Sequence, residues 1–144
     1  MKTLVNNRKA YFDFAISDEI IAGLVLTGPE VKSLKAGQAS LKGAYVTIRK
    51  EEAYLTKAHI TPYKYAADKN PDPDRDRKLL LNKKEIASLI GKEKGSVMMP
   101  LEILQGHRGL IKLKIGIGKG KKKYDKRESI KKREINRRIS RQED

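Results

Sequence analysis

Cysteine is absent from all 144 residues, which excludes disulfide staples and thiolate metal sites. Histidine occurs twice, at His59 and His107, too few for a zinc site without cysteine. Tryptophan is missing and aromatic residues make up only 6%. No run of about eighteen apolar residues exists, so no membrane-crossing helix is predicted. The apolar segment behind Met1 is too short for a signal peptide, and the chain reads as cytosolic. Acidic residues are also scarce, at 18 against 33 Lys and Arg, for a formal charge of +15. A charge that one-sided needs an anionic partner; nucleic acid is the commonest, with a membrane surface as the rival.

The apolar content of 38% is lean, but the length allows one domain with a core and one extension. The stretch from Leu110 to Arg127 organises the rest. Ile111, Leu113, Ile115 and Ile117 alternate with Lys112, Lys114 and Gly116, the period of a half-buried strand. In its second half this stretch drops the apolar residues and becomes glycine and lysine around a single aromatic, Tyr124. From Lys119 onward there are twelve Lys and Arg against five Asp and Glu, a net of +7 and about half the total. The division predicted is a body over 1–118 and a basic tail over 119–144. The tail has too little apolar material to order itself, so it is expected to be disordered when free and helical when docked.

Upstream, Tyr11–Ile16 and Ile20–Leu26 read as strands. Thr27 stands three residues before Glu30, a capping-box spacing, and Pro29 suits the first turn of a short helix ending at Gly37. Glu30 thus fits a capping role, with a functional role as the alternative. Residues 44–50 and 53–60 form a hairpin about Glu51-Glu52. Residues 61–78 read as a long loop. Asn82 caps a helix from Lys83 to Ile90, and Gly91 ends it. Residues 96–104 form a strand whose Pro100 implies a sheet edge or a bulge. About six short strands with two inserted helices favour a closed or nearly closed antiparallel barrel.

The candidate chemistry is that of nucleic-acid binding. Lys119, Lys121, Lys122, Lys123, Lys126 and Arg127 are dense enough to neutralise several phosphates, and Tyr124 among them offers a face for a base. On the body, Lys112 and Lys114 share the outward face of their strand, and Lys32 and Lys35 lie on the first helix. Ordinary solvent-facing lysines explain any one of these equally well. Asp72, Asp74 and Asp76 open like a calcium loop, but Arg77 stands where a glycine is needed and Lys83 where a glutamate is needed. A loop compensated by Arg75 and Arg77 is the plainer reading. Gly116, Gly118 and Gly120 match neither nucleotide-binding fingerprint. No catalytic set emerges, so no metal or cofactor is expected.

Four stretches combine into a specific resemblance: G-P-E-V-K-S-L-K-A-G (28–37), I-T-P-Y (60–63), R-K-L-L-L-N-K-K-E (77–85) and K-I-G-I-G-K-G-K-K-K-Y-D-K-R (114–127). Together they resemble the SsrA-binding (SmpB) family in order and spacing over nearly the whole chain. The resemblance implies a mainly β fold, an oligonucleotide-binding (OB) type barrel with short helices and a flexible basic tail. It implies a non-enzymatic, monomeric adaptor that binds transfer-messenger RNA and rescues stalled ribosomes in the bacterial cytoplasm. By position it implies RNA contacts from Leu80, Asn82 and Lys112. It implies a decoding-centre role for Gly120, Lys121, Lys122, Tyr124, Asp125, Lys126 and Arg127. The chain departs at Ile21, where many relatives have Glu, and at Ile135, where some have Trp. A ribosomal or assembly protein, and a small metal-dependent nuclease built on the Asp72 loop, are the alternatives.

Overall fold

The computed structural model describes residues 1–64, 71–91 and 95–121. The tail expectations, with Lys122, Tyr124, Asp125, Lys126 and Arg127, fall outside the described residues. The first part of the chain comprises β1 (Lys2–Asn6), α1 (Arg8–Asp13), β2 (Phe14–Leu24), α2 (Gly28–Lys35) and β3 (Ala39–Ser40). There follow β4 (Tyr45–Arg49), β5 (Glu52–Thr56), β6 (His59–Ile60) and β7 (Arg77–Leu80). Last come α3 (Lys83–Ile90), β8 (Val97–Gln105), a single 3-10 turn (His107–Gly109) and β9 (Ile111–Gly120).

Seven strands form one antiparallel sheet in the order β1-β8-β9-β2-β7-β5-β4, while β3 and β6 pair separately. The sheet curls until β4 packs against β8, so the wall is nearly closed. β9 lies inside it, between β8 and β2, and its predicted alternation holds. Ile111, Leu113, Ile115 and Ile117 are buried, with Ala22, Leu24, Leu55, Leu79 and Ile103 around them. Each such large side chain contributes about 1.5–3 kcal/mol by leaving water. A smaller cluster of Ala10, Met99 and Leu101, backed by Tyr11, Phe14 and Ile16, covers the end near α1.

The two predicted helices, α2 and α3, start where their caps predict. Thr27 and Glu30 form a complete capping box, as do Asn82 and Glu85. Leu34 is buried and Val31 packs on the core. The bulge implied by Pro100 is present, between Pro100 and Glu102 of β8.

Other elements differ from expectation. Tyr11–Ile16 is not a strand: one helical turn, α1, turns the corner and buries Ala10, and β2 begins only at Phe14. The polar Ser17-Asp18-Glu19 that separated two predicted strands is a β-bulge inside one continuous strand. Its register shifts between Ile16 and Asp18, and the Ser17 hydroxyl donates to the Ile117 carbonyl at 3.0 Å. The expected strand over 53–60 breaks at Lys57, which takes φ 61°, and the chain passes from the large sheet to the small one. β1 was not foreseen: it is a five-residue, mostly exposed strand held by pairing with β8. β7 likewise begins inside the predicted loop, at Arg77. The described residues therefore hold nine strands, seven of them in the main sheet.

Candidate nucleic-acid interface

Register alone assembles the site. Leu80 of β7 pairs with Gly23 of β2, and Gly23 pairs on its other side with Lys112 of β9. Leu79 points into the core, so its neighbour Leu80 points out and is 58% exposed. A Cβ on Gly23 would lie 3.2 Å from Leu80 Cδ1. The glycine therefore lets the leucine lean across the strand, leaving a shallow notch between it and the lysine stem. Ile21 of β2 and Val25, the residue just past its end, are also exposed. Three exposed apolar side chains beside cations suit a ligand with flat faces and negative charge. A groove of about 230 Å³ beside Leu80 is lined by Glu52, Lys78, Lys83 and Ile86 among others.

The two outward lysines of β9 differ. Lys114 lies 3.1 Å from Glu102 and 3.9 Å from Glu19. Its hydrogen bond to Glu102 raises the pKa of its ammonium. Burial pushes the Glu102 carboxyl up, but Lys114, the Tyr11 hydroxyl and the Thr3 hydroxyl together hold it below its usual value. Tyr11, partly buried and facing that carboxylate, is pushed up to about 12. Lys114 is thus committed to an internal network. Lys112 is half-exposed and forms no ion pair with any of the described residues. Of these two lysines it is the one without an internal carboxylate partner among the described residues.

Asn82 stands just past Leu80 at the start of α3. Its Oδ1 accepts the Glu85 N–H at 2.8 Å, and its own N–H donates to Glu85 Oε1 at 3.0 Å. Its side-chain NH₂ has no partner among the described residues and points from an exposed cap. Lys32 and Lys35 do not join this row. They are exposed on α2, which packs on β1 and β6, and Lys32 lies over the Tyr63 ring at 5.5 Å. Gly120 closes β9 opposite Phe14, and the Lys121 N–H donates to the Asp13 carbonyl at 2.7 Å. These contacts fix the point at which the tail leaves the body.

The aspartates of the 72–76 loop serve separate partners. Asp76 pairs with Arg49 at 2.7 Å and Asp74 with His59 at 3.0 Å, while Asp72 accepts the Asp74 N–H at 2.9 Å. The arginines expected to compensate them turn instead to Glu30. Among the described residues, no three His, Asp or Glu side chains are grouped to hold a metal ion. Sequence reasoning did not place Gly23 or Val25 beside Leu80 and Lys112, and noted Ile21 only as a departure from relatives. A glycine inside a strand pattern was the available signal, since it marks a close approach.

A rolled antiparallel sheet with exposed apolar side chains and lysines on its outer face is a small β-barrel in class. The family model described as SmpB protein matches residues 4–144. The SsrA-binding protein of Thermosipho melanesiensis is 48% identical over 141 residues, covering 96% of each chain. That of Wolbachia pipientis subsp. Culex pipiens is 50% identical over 143 residues, covering 98% of this chain and 96% of its own. A solved chain described as "tmRNA-SmpB: a journey to the center of the bacterial ribosome" superposes with a TM-score of 0.69 at 38% identity. That superposition covers 88% of this chain and 93% of the solved one. The chain belongs to the SmpB family. No helix among the described residues is long and apolar enough to cross a membrane.

Proposed function

We propose that this protein is an RNA-binding adaptor of trans-translation. It binds transfer-messenger RNA and brings it to stalled ribosomes, without chemistry of its own, in the cytoplasm. The OB-type body grips the folded RNA through Leu80, Gly23, Asn82 and Lys112. The basic tail, from Gly120 and Lys121 through Lys122, Tyr124, Asp125, Lys126 and Arg127, occupies the empty decoding centre. Lys32 and Lys35 lie apart from the gripping face and add long-range attraction rather than a contact in the notch.

The observation that carries the reading is the row Leu80–Gly23–Lys112, where an exposed leucine and an unpaired cation flank a residue without a side chain. It is tested by titrating RNA binding against salt. Replacing Lys112 by Ala removes one phosphate contact, so the salt slope falls by about one unit, with affinity reduced and stability nearly unchanged. An unchanged slope removes Lys112 from the interface.

A further inference from the structure

Glu30 is 3% exposed and Arg77 is 0% exposed, yet neither touches the outer face. One carboxylate gathers donors from three places. Its Oε1 accepts the Thr27 N–H at 2.9 Å and Arg75 Nη2 at 2.5 Å. Its Oε2 accepts Arg75 Nε at 3.1 Å and Arg77 Nε at 2.8 Å. Arg77 Nη2 also lies 2.7 Å from Glu30 Oε2, and its Nη1 and Nη2 donate to the Ala58 carbonyl at 2.5 Å and the Pro73 carbonyl at 2.9 Å. A buried carboxylate shared by two guanidiniums is a rigid, geometrically demanding joint.

Its place in the fold gives that rigidity a use. Thr27 follows the end of β2, and Arg77 is the first residue of β7. The strands are antiparallel, so the joint ties the exit of β2 to the entry of β7. Between them the ladder has only two register pairs, Gly23 with Leu80 and Leu24 with Leu79, and one member is a glycine with no side chain to pack. On its other edge β7 has three register pairs with β5, and a one-residue slip against β2 would turn Leu80 inward and carry Arg77 away from Glu30.

We propose that Glu30 is a positioning residue of the RNA face: through Arg77 it sets the register of β7, and so holds Leu80 over Gly23. This rests on the reading of that face given above. Glu30 acts on RNA only through Leu80, so its loss and the loss of Leu80 are not independent.

A double-mutant cycle on transfer-messenger RNA affinity tests this at neutral pH. Glu30→Gln is expected to weaken binding by about tenfold, and Leu80→Ala by a similar factor. The double variant then binds like Leu80→Ala alone, and the nuclear Overhauser contact between the Leu80 methyls and the Gly23 α-protons disappears in Glu30→Gln. Wild-type affinity in folded Glu30→Gln, or losses that multiply in the double variant, overturns the proposal. If Leu80→Ala alone binds normally, the reading of the face fails instead. The Leu80–Gly23 contact then decides the joint by itself: its persistence in Glu30→Gln overturns the register claim. Should Glu30→Gln not fold, Arg75→Gln loosens the joint from its half-exposed end and takes its place in the cycle.

Discussion

At Gly118 an added Cβ would stand 2.1 Å from the Ala15 carbonyl oxygen, a backbone atom that cannot swing away. The close approach belongs to the β2 bulge, where Ser17 crowds in toward β9. Gly118→Ala is therefore expected to destabilise the body by about 1–3 kcal/mol or more, read as a lower urea midpoint. Gly120, with nothing within 4 Å of its hypothetical Cβ, is the control: Ala there leaves the midpoint within about 0.5 kcal/mol of wild type. At Glu30 the sign of the pH dependence can be worked out. Burial pushes its carboxyl up, but Arg75, the Thr27 N–H and Arg77 together hold it below the ordinary 4.5. The stabilisation is thus fully present above that value and is lost as pH falls through the lower folded one. Glu52 and Glu102 move in the same direction, so the difference between wild type and Glu30→Gln isolates this group. The variant is weaker at pH 7 but loses less stability on acidification to about pH 3. Parallel curves would show that Glu30 does not carry this dependence.

At the scale of elements, Asn82 combines two roles in one side chain. Its oxygen caps α3, and its nitrogen, without a partner among the described residues, is the group proposed to meet RNA. Asp caps a helix as well as Asn does but has no NH₂ to donate, so the roles separate. Asn82→Asp should keep the thermal midpoint and weaken RNA binding. Asn82→Ala should do both, at a stability cost of about 0.5–2 kcal/mol. Equal binding by wild type and Asn82→Asp would reduce Asn82 to a cap. The caps at Thr27 and Asn82 were legible in the sequence because their partners lie three residues away, and the alternation of β9 because it needs only its own strand. Tyr11 and Phe12 misled for the same reason: their strand propensity is local, whereas the α1 turn is set by Ala10 packing on Met99 and Leu101, about ninety residues later. Glu30 was legible as a cap but not as a joint, since its arginines lie 45 and 47 residues away. Of the candidate interface, Leu80 and Asn82 came from the family resemblance, and Lys112 from the alternation of its own strand as well. Gly23 required the register, which no short-range pattern supplies.

Across the whole molecule, apolar burial and positive charge are divided along the chain. Every residue of the buried apolar core lies at or before Ile117 among the described residues, while the 26 residues from Lys119 carry a net +7. β9 nevertheless runs two residues past the predicted boundary at 118, to Gly120, and Lys121 adds one more backbone bond to Asp13. A cut after Gly118 would strip those pairings, so the cut that separates body from tail falls after Lys121. The 1–121 chain should unfold in urea at the same midpoint as the full chain and bind transfer-messenger RNA through the notch, with a smaller salt slope because the tail cations are gone. It should fail to support tagging on stalled ribosomes. Within the tail, Tyr124 is the only aromatic residue after Tyr65, in a segment with too little apolar material to bury it. Stacking on a base gives it a use worth ~1–3 kcal/mol. Tyr124→His and Tyr124→Phe keep a flat ring and should retain most tagging. Tyr124→Ala should impair tagging about ten- to hundredfold while binding isolated transfer-messenger RNA normally. Equal loss in both assays would place the ring on the carried RNA rather than on the ribosome, and full tagging by the alanine variant would leave it without a stacking role.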